Sequence, residues 1–381
     1  MRIALVISAL GAGGAERVII GLANTWAARG CDVSLITFEP AGTSPYYEVD
    51  PRVDLCQLGV ESAGRPIWRA IVQGGRRVRA LRRALRAARP DIAISFLAKI
   101  NVLTVLATRG LGLPVIVSER NNPERQQFRG IWRWLRSCLY GVAHCVVTPS
   151  RGVLATFPQA IRARGRVIPN PVDLAPPRRR QPANTRQLVA VGRLVHQKGF
   201  DLLLRAFAQI APDHPQWTLT IWGEGDERAA LEALRADLGL TARVRMPGVT
   251  DRPGQWVEDA EVFVLSSRYE SFGNVITEAM VAGLPVVAFD CPWGPGDILR
   301  DGEDGLLVPP EDVDALAAAI GRMIADPGLR RRLGEAATRN VRRFRREAIV
   351  AQWDGLIAEA KAAGSRVPAS GFAAPVPEPS E

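Results

Sequence analysis

Lysine is almost missing from this chain. Of its 49 basic residues only Lys99, Lys198 and Lys361 are lysines, and the rest are arginine. Where arginine supplies the general surface charge, a lysine points to a place that wants a compact point charge. Cysteine is sparse as well: Cys31, Cys56, Cys138, Cys145 and Cys291 are scattered, with no Cys-x-x-Cys pair. That pattern excludes a zinc ribbon and a disulfide framework and fits a reducing cytosol. The three histidines, His144, His196 and His214, share no paired spacing, which argues against a histidine metal site. No apolar run approaches the ~20 residues of a membrane span. The apolar residues 3–10 follow Arg2 and precede a glycine loop and an amphipathic helix. They read as a first strand rather than a signal-peptide core. Acid is absent from residues 62–89, which hold nine arginines.

What is present is length and apolar content. At 381 residues, 47% of them hydrophobic, the chain can bury two or three full cores. The most informative stretch is Glu270-Ser-Phe-Gly-Asn-Val-Ile-Thr-Glu278. The apolar run 262–265 ahead of it reads as a strand, and 275–282 behind it as a helix. A helix start holds anions because its first N–H groups have no partner within the helix. Glu270 falls in the loop before that start and Glu278 about one turn inside. Carboxylates repel phosphate but accept hydrogen bonds from sugar hydroxyls. The arrangement suits a phosphate flanked by two sugars, as in a nucleotide sugar. A second motif, Gly192-Arg193-Leu-Val-His-Gln-Lys198-Gly199, joins the strand 188–191 to the amphipathic helix 200–210. Arg193 and Lys198 thus project from one loop, where two cations can neutralise a diphosphate.

Strand and helix signals alternate twice. The first set places strands at 2–10, 32–38, 53–58, 91–97, 114–119, 145–149 and 166–169. Its helices fall at 15–29, 66–88, 100–109 and 124–140. The second set places strands at 188–191, 219–222, 244–247, 262–265, 286–289 and 306–308. Its helices fall at 200–210, 227–237, 275–282 and 312–325, with a long terminal helix at 329–362 broken near Phe344. Such alternation gives an α/β fold of parallel sheets covered by helices. The expected organisation is a Rossmann-like domain at 1–170, a proline-rich linker at 171–185 and a second Rossmann-like domain at 186–345. A terminal helix at 346–363 and a Pro/Ala/Ser-rich disordered tail at 364–381 complete it.

Taken together, Glu270 and Glu278, Arg193 and Lys198, Gly13-Gly14-Ala15-Glu16 and Trp222-Gly223-Glu224-Gly225 resemble the retaining glycosyltransferases of family 4. The resemblance spans roughly residues 1–360 and is similar in kind to bacterial transferases of polysaccharide or lipid-linked oligosaccharide assembly. It implies the GT-B fold, two doubly wound domains facing a central cleft, with the terminal helix returning to the first. It implies a nucleoside-diphosphate-sugar donor, most readily a UDP-sugar, and transfer of a hexose or N-acetylhexosamine with retention to a lipid-linked or glycan acceptor. Arg193, Lys198 and Glu270 are the expected catalytic residues. Gly13, Gly14, Gly223, Val249, Ser271, Phe272, Gly273, Asn274, Val275 and Glu278 are the expected donor contacts. Glu270 would meet the sugar hydroxyls and Glu278 the ribose. Met246-Pro-Gly248-Val249-Thr250 resembles the loop that receives the base.

Other elements admit two readings. Gly11-Ala-Gly13-Gly14-Ala15-Glu16 nearly matches a dinucleotide fingerprint, with Glu39 where a ribose-binding acid would sit. An NAD-dependent dehydrogenase is therefore an alternative, as are a GT-B UDP-sugar epimerase and a non-enzymatic sugar-nucleotide scaffold. Those glycines can equally serve a tight turn. Ser118-Glu119-Arg120-Asn121 ends a strand where related transferases often place a histidine near the donor sugar. Here Arg120 or Asn121 takes that place, and Glu119 and Arg120 are candidates for acceptor or sugar contact or for a strand-end ion pair. Asp312-Val-Asp314 matches Asp-x-Asp but directly precedes a helix, which favours capping. No metal and no cofactor are expected.

The basic segment 65–89 and the cluster Arg120, Arg125, Arg129, Arg133 and Arg136, interleaved with Trp132, Trp134 and Leu135, fit an anionic membrane surface. Solvated helices and nucleic acid compete, and no nucleic-acid motif is present. A location on the inner face of the cytoplasmic membrane, without a span, follows.

Overall fold

The computed structural model describes residues 1–60, 67–120, 131–173, 185–250 and 254–364, the side chains of 67–71, 131 and 133 aside. Most of the expected linker (174–184) and of the tail (365–381) lie outside the described residues, as do Arg65, Asn121, Arg125 and Arg129. By contact the chain divides into two units. The first takes the described residues within 1–118, 131–146 and 354–364, the second those within 119–120, 147–173, 185–250 and 254–353.

The elements, in chain order, are β1 (Arg2–Val6), α1 (Gly14–Ala28), β2 (Asp32–Thr37), β3 (Asp54–Gln57), α2 (Ile67–Ala88), β4 (Ile92–Phe96), α3 (Ala98–Thr108), β5 (Val115–Ser118), α4 (Ile131–Tyr140) and β6 (Cys145–Thr148). Short helices α5 (Arg151–Ala155) and α6 (Gln159–Arg162) and strand β7 (Gly165–Val167) follow. Then come β8 (Gln187–Val191), α7 (Phe200–Ile210), β9 (Thr218–Trp222), α8 (Arg228–Asp237), β10 (Val244–Gly248), β11 (Val262–Leu265), α9 (Asn274–Val281), β12 (Val286–Phe289), α10 (Pro295–Ile298) and β13 (Leu306–Val308). The chain ends on α11 (Val313–Ala325), α12 (Pro327–Asn340) and α13 (Arg346–Gly364). A 3-10 turn at Val341–Phe344 separates the last two helices, so the expected break near Phe344 is real.

One sheet has the order β3-β2-β1-β4-β5-β6-β7, the other β10-β9-β8-β11-β12-β13. β1 pairs in parallel with β2 and β4, and β11 with β8 and β12. In both sheets the strand order reverses once, at β1/β4 and at β8/β11. A crevice outside the carboxyl ends of the strands is the usual ligand site of such a switch point. The loops 192–199 and 270–274 of the second unit follow the two strands that meet there.

The central strands are apolar runs because both faces of each sheet are covered there. In the second unit Leu188, Ala190, Leu219, Ile221, Val262 and Val264 face a core with α7 and α11. Val189, Phe263 and Leu265 face the other, with Ile276, Met280 and Phe344. In the first unit Trp26, 1% exposed, donates its Nε1 hydrogen to Asp354 of the terminal helix at 2.8 Å. Arg29 pairs with the same carboxylate at 2.9 Å.

The arginine-rich helix is not uniform. Arg76, Arg79, Arg83 and Arg86 are exposed and recur at spacings of three, four and three, which is one face of α2. Leu81 and Leu85 are buried on the opposite face. Arg77 stacks on the Phe38 ring at 4.2 Å, and burial lowers its pKa. Arg82 donates to the carbonyls of Ala107 and Arg109 at 2.7 and 2.6 Å and so caps the end of α3. Trp134 of α4 is 62% exposed, and Trp132 is partly buried. Arg120 departs from the expected basic surface. It is 6% exposed, and its contacts Asn170 and Trp353 belong with it to the second unit.

Candidate functional site

The loop after β8 and the loop after β11 are locked together. Lys198 lies in a 3-10 turn, His196–Lys198, that ends on Gly199 with φ 60°. A side chain at Gly199 would place its Cβ 2.1 Å from the Ser266 carbonyl oxygen, so only glycine allows this approach. Ser266 Oγ donates to the Lys198 carbonyl at 2.9 Å. Arg268 N donates to Gln197 O at 2.8 Å, and Gln197 Nε2 donates to Tyr269 O at 3.0 Å. The Arg268 guanidinium forks onto Asp201 at 2.8 and 2.7 Å, reaches Glu311 at 3.1 Å and donates to His196 O at 2.9 Å. Asp201, Gln197, Ser266 and Arg268 were not singled out from sequence. Their role depends on β8 and β11 being neighbours.

Held in this way, Lys198 Nζ stands 2.5 Å from Glu270 Oε1. The side chains are 17% and 9% exposed. Ser267 Oγ donates to the same Oε1 at 2.7 Å. Two donors on one oxygen leave the other oxygen, Oε2, able to accept a further hydrogen bond. Cys291 is buried beside the pair. Burial first, and then the Glu270 carboxylate, pushes its thiol pKa up, so it remains a neutral thiol. Arg193 is exposed and makes no ion pair among the described residues.

Beyond Glu270 the chain turns through Ser271 and the buried Phe272 into Gly273, which has φ 102° and precedes the first residue of α9. The Gly273 N-cap supplies no side-chain hydrogen bond. The first N–H groups of α9 therefore remain available to an anion. Asn274 and Val275 open the helix, and Glu278 lies one turn inside it, half-buried.

The glycine loop after β9 packs directly on the Arg193 loop. Gly192 N donates to Trp222 O at 3.0 Å and Leu194 N to Glu224 O at 2.9 Å. Gly223 has φ 141°, and a Cβ there would stand 1.8 Å from Gly192 O. Gly223 N donates to Gly248 O at 2.7 Å, which ties in the 246–250 loop. Val249 at its tip is 64% exposed. Glu224 and Glu232 hold Arg228, whose guanidinium also donates to Met246 O at 3.2 Å.

Within the first unit, Gly13 precedes α1 with extended backbone and Gly14 begins the helix. Glu16 folds back over Gly13, so closely that a Cβ at Gly13 would meet its carboxylate at 2.1 Å. Burial, augmented by the charge of Glu39, raises the Glu16 pKa against the opposing backbone hydrogen bond. Glu39 accepts from Leu10 N at 3.0 Å and so ties down the loop.

Other expected features resolve simply. Asp312 caps α11 by accepting from Ala315 N at 2.9 Å, and Asp314 accepts from Gln209 Nε2 at 2.8 Å. Glu119 is fully buried. Arg120 lies with Asn170 and Trp353, and burial pushes its pKa down to about 9, so it is charged at neutral pH.

Two doubly wound α/β units, with cation loops and a bare helix start at a strand-order reversal, define a GT-B enzyme. Residues 12–176 match the model described as Glycosyltransferase Family 4, and residues 174–340 match that described as Glycosyl transferases group 1. The chain belongs to this glycosyltransferase family and is a glycosyltransferase. It is 28% identical over 364 residues to an N-acetylgalactosaminyltransferase of Campylobacter jejuni that acts on an undecaprenol-diphosphate-linked GalNAc glycan. That match covers 95% of this chain and 99% of the relative. An exopolysaccharide phosphotransferase of Streptomyces coelicolor is 42% identical over 173 residues. That match covers 45% of this chain and 18% of the relative's own length. Among solved structures, Anabaena HepE in complex with UDP-glucose superposes with a TM-score of 0.76 at 22% identity. It covers 95% of this chain and 100% of that one.

Proposed function

We propose that the enzyme transfers a hexose or N-acetylhexosamine, with retention, from a UDP-sugar to a lipid-linked or polysaccharide acceptor in bacterial glycan synthesis. The observation that carries this reading is the Lys198–Glu270 pair, 2.5 Å apart at the strand-order reversal, set beside the start of α9. Lys198 and Arg193 neutralise the leaving diphosphate, and the free N–H groups at Gly273–Val275 hold it. Electrostatic stabilisation of this kind is commonly the largest catalytic contribution. Glu270 Oε2 accepts from a donor-sugar hydroxyl and Glu278 from the ribose, while the 246–250 loop and Gly223 receive the base. The acceptor attacks on the face the diphosphate leaves, and a departing phosphate oxygen takes its proton. Gly13 and Gly14 allow close backbone approach of ligand in the first unit. The C. jejuni relative's lipid-linked substrate and the UDP-glucose bound to HepE support this choice of acceptor and donor.

Among the described residues no helix is long and apolar enough to cross a membrane. In our reading the exposed arginine row of α2, with Trp134, docks on an anionic membrane surface at the cytoplasmic face and delivers the lipid-linked acceptor.

A donor panel, read by UDP release with crude lipid-linked acceptor, tests the reading, and product NMR gives the anomeric configuration. UDP release that depends on acceptor and gives the donor's anomer supports it. A changed sugar epimer without acceptor makes the enzyme an epimerase. An inverted anomer refutes retention.

A further inference from the structure

A buried hydrogen-bond chain runs from a strand end to the start of α9. Arg120 follows β5, is 6% exposed and lies over the Trp353 ring at 5.7 Å. Its Nη1 donates to Asn170 Oδ1. Asn170, 9% exposed, donates its Nδ2 hydrogen to Asn274 Oδ1 at 2.7 Å. Two residues past Asn170, Val172 N is fixed to Phe344 O at 2.9 Å. All of these residues belong to the second unit.

The chain has a polarity. A side-chain amide carries an acceptor and a donor that can exchange places by a flip, so neither asparagine sets its own orientation. A guanidinium has donors only. Arg120 therefore obliges Asn170 to turn its oxygen inward and its nitrogen toward Asn274. Asn274 must in turn give its oxygen to Asn170. Its Nδ2, which makes no hydrogen bond among the described residues, is left on the other side. Asn274 is the first residue of α9, where the free N–H groups also lie.

We propose that Arg120 and Asn170 are positioning residues that fix the amide of Asn274 so that it presents a donor, not an acceptor, to the donor diphosphate. The proposal rests on the reading that a nucleoside diphosphate occupies the start of α9. It gives the arginine at this strand end a task different from direct sugar contact. The wrong flip would aim a carbonyl oxygen at a phosphate, replacing an attraction with a repulsion.

The test compares the affinities of UDP and uridine by calorimetry on the full-length enzyme. The wild type should prefer UDP strongly. Asn170→Asp keeps the shape and still accepts from Arg120, but it cannot donate, so Asn274 flips. UDP affinity should fall on the order of tenfold or more, with uridine affinity unchanged. In an Asn274→Ala background the same Asn170→Asp change should cost less than about twofold, since no amide remains to orient. Arg120→Met should mimic Asn170→Asp, and Arg120→Lys, which retains a donor, should restore most of the UDP preference. If Arg120→Met does not fold, the Asn170 and Asn274 series decides alone. An unchanged UDP-to-uridine ratio in Asn170→Asp, or equal losses for both ligands, overturns the relay while leaving the diphosphate site standing. A wild type that binds uridine as tightly as UDP overturns both.

Discussion

Replacing Lys198 by alanine removes a cation from two settings at once. In the enzyme without ligand it leaves Glu270, whose side chain is 9% exposed, with Ser267 Oγ as its remaining side-chain donor among the described residues. Breaking a fully buried ion pair by deleting one partner costs roughly 3–5 kcal/mol. Lys198 is 17% exposed and water can enter the vacated space, so a loss of about 2–3 kcal/mol of stability is expected. In the proposed reaction the same change removes a charged contact to the leaving diphosphate, worth about 2–4 kcal/mol. At about 1.4 kcal/mol per decade that slows turnover roughly 30- to 1,000-fold. A second substitution separates the two effects. Glu270→Gln added to Lys198→Ala removes the stranded charge, and denaturant unfolding should recover most of the lost stability. Turnover, read by UDP release, should not recover. If the double variant regains near-normal activity, Lys198 serves only to neutralise Glu270, and its assignment to the diphosphate is wrong.

Glu278→Ala should weaken binding of UDP itself, whereas Glu270→Ala should spare UDP and weaken the UDP-sugar; calorimetry with both ligands checks this, and equal losses in both variants reject the division of roles. Gly223→Ala should destabilise the site-forming loop, because its Cβ would stand 1.8 Å from Gly192 O at a φ of 141°; a melting temperature within a degree of wild type would refute the packing argument. Arg76, Arg79 and Arg83 changed together to Glu should reduce binding to anionic vesicles on the order of a hundredfold, from about 1 kcal/mol per arginine. Co-sedimentation at low and high salt measures it, and unchanged binding would remove α2 from the membrane contact.

The parts of the site that were legible in the sequence are those written in consecutive residues. A strand, a glycine turn and a helix start follow one another in Leu188–Phe200 and again in Val262–Val281, so the loops at 192–199 and 270–274 announce themselves. Lys198 stands out because lysine is so scarce. What brings those loops together is not local. Ser267, Arg268 and Gln197 are ordinary loop residues until β8 and β11 are known to be neighbours, across some seventy positions of sequence. The pairing of Lys198 with Glu270 is legible only through that register. Short elements were also lost. Helices α5, α6 and α10 have four or five residues each, too few for an apolar period to show.

Arg120 shows where charge counting fails. Its neighbours in sequence include Arg125, Arg129 and Arg133, so composition groups it with a basic surface. Composition carries no direction. The better signal was its position immediately after an apolar strand: Val115–Ser118 is buried throughout, and Glu119 and Arg120 continue that burial. A charged pair that extends a central strand past its end is far more constrained than charges spaced along a helix, because the sheet fixes its backbone. Burying a guanidinium is costly unless its donors are met, and the acceptor that meets Nη1 is Asn170. Asn170 itself was hidden between Pro169 and Pro171, at the edge of a stretch that reads as linker. Proline on either side restricts that backbone, which suits a residue that must hold one orientation. Two features that suggest surface when read one residue at a time, an arginine cluster and a proline-rich break, therefore meet inside the second unit. Through Asn170 they reach the first residue of α9, where the proposed diphosphate is held.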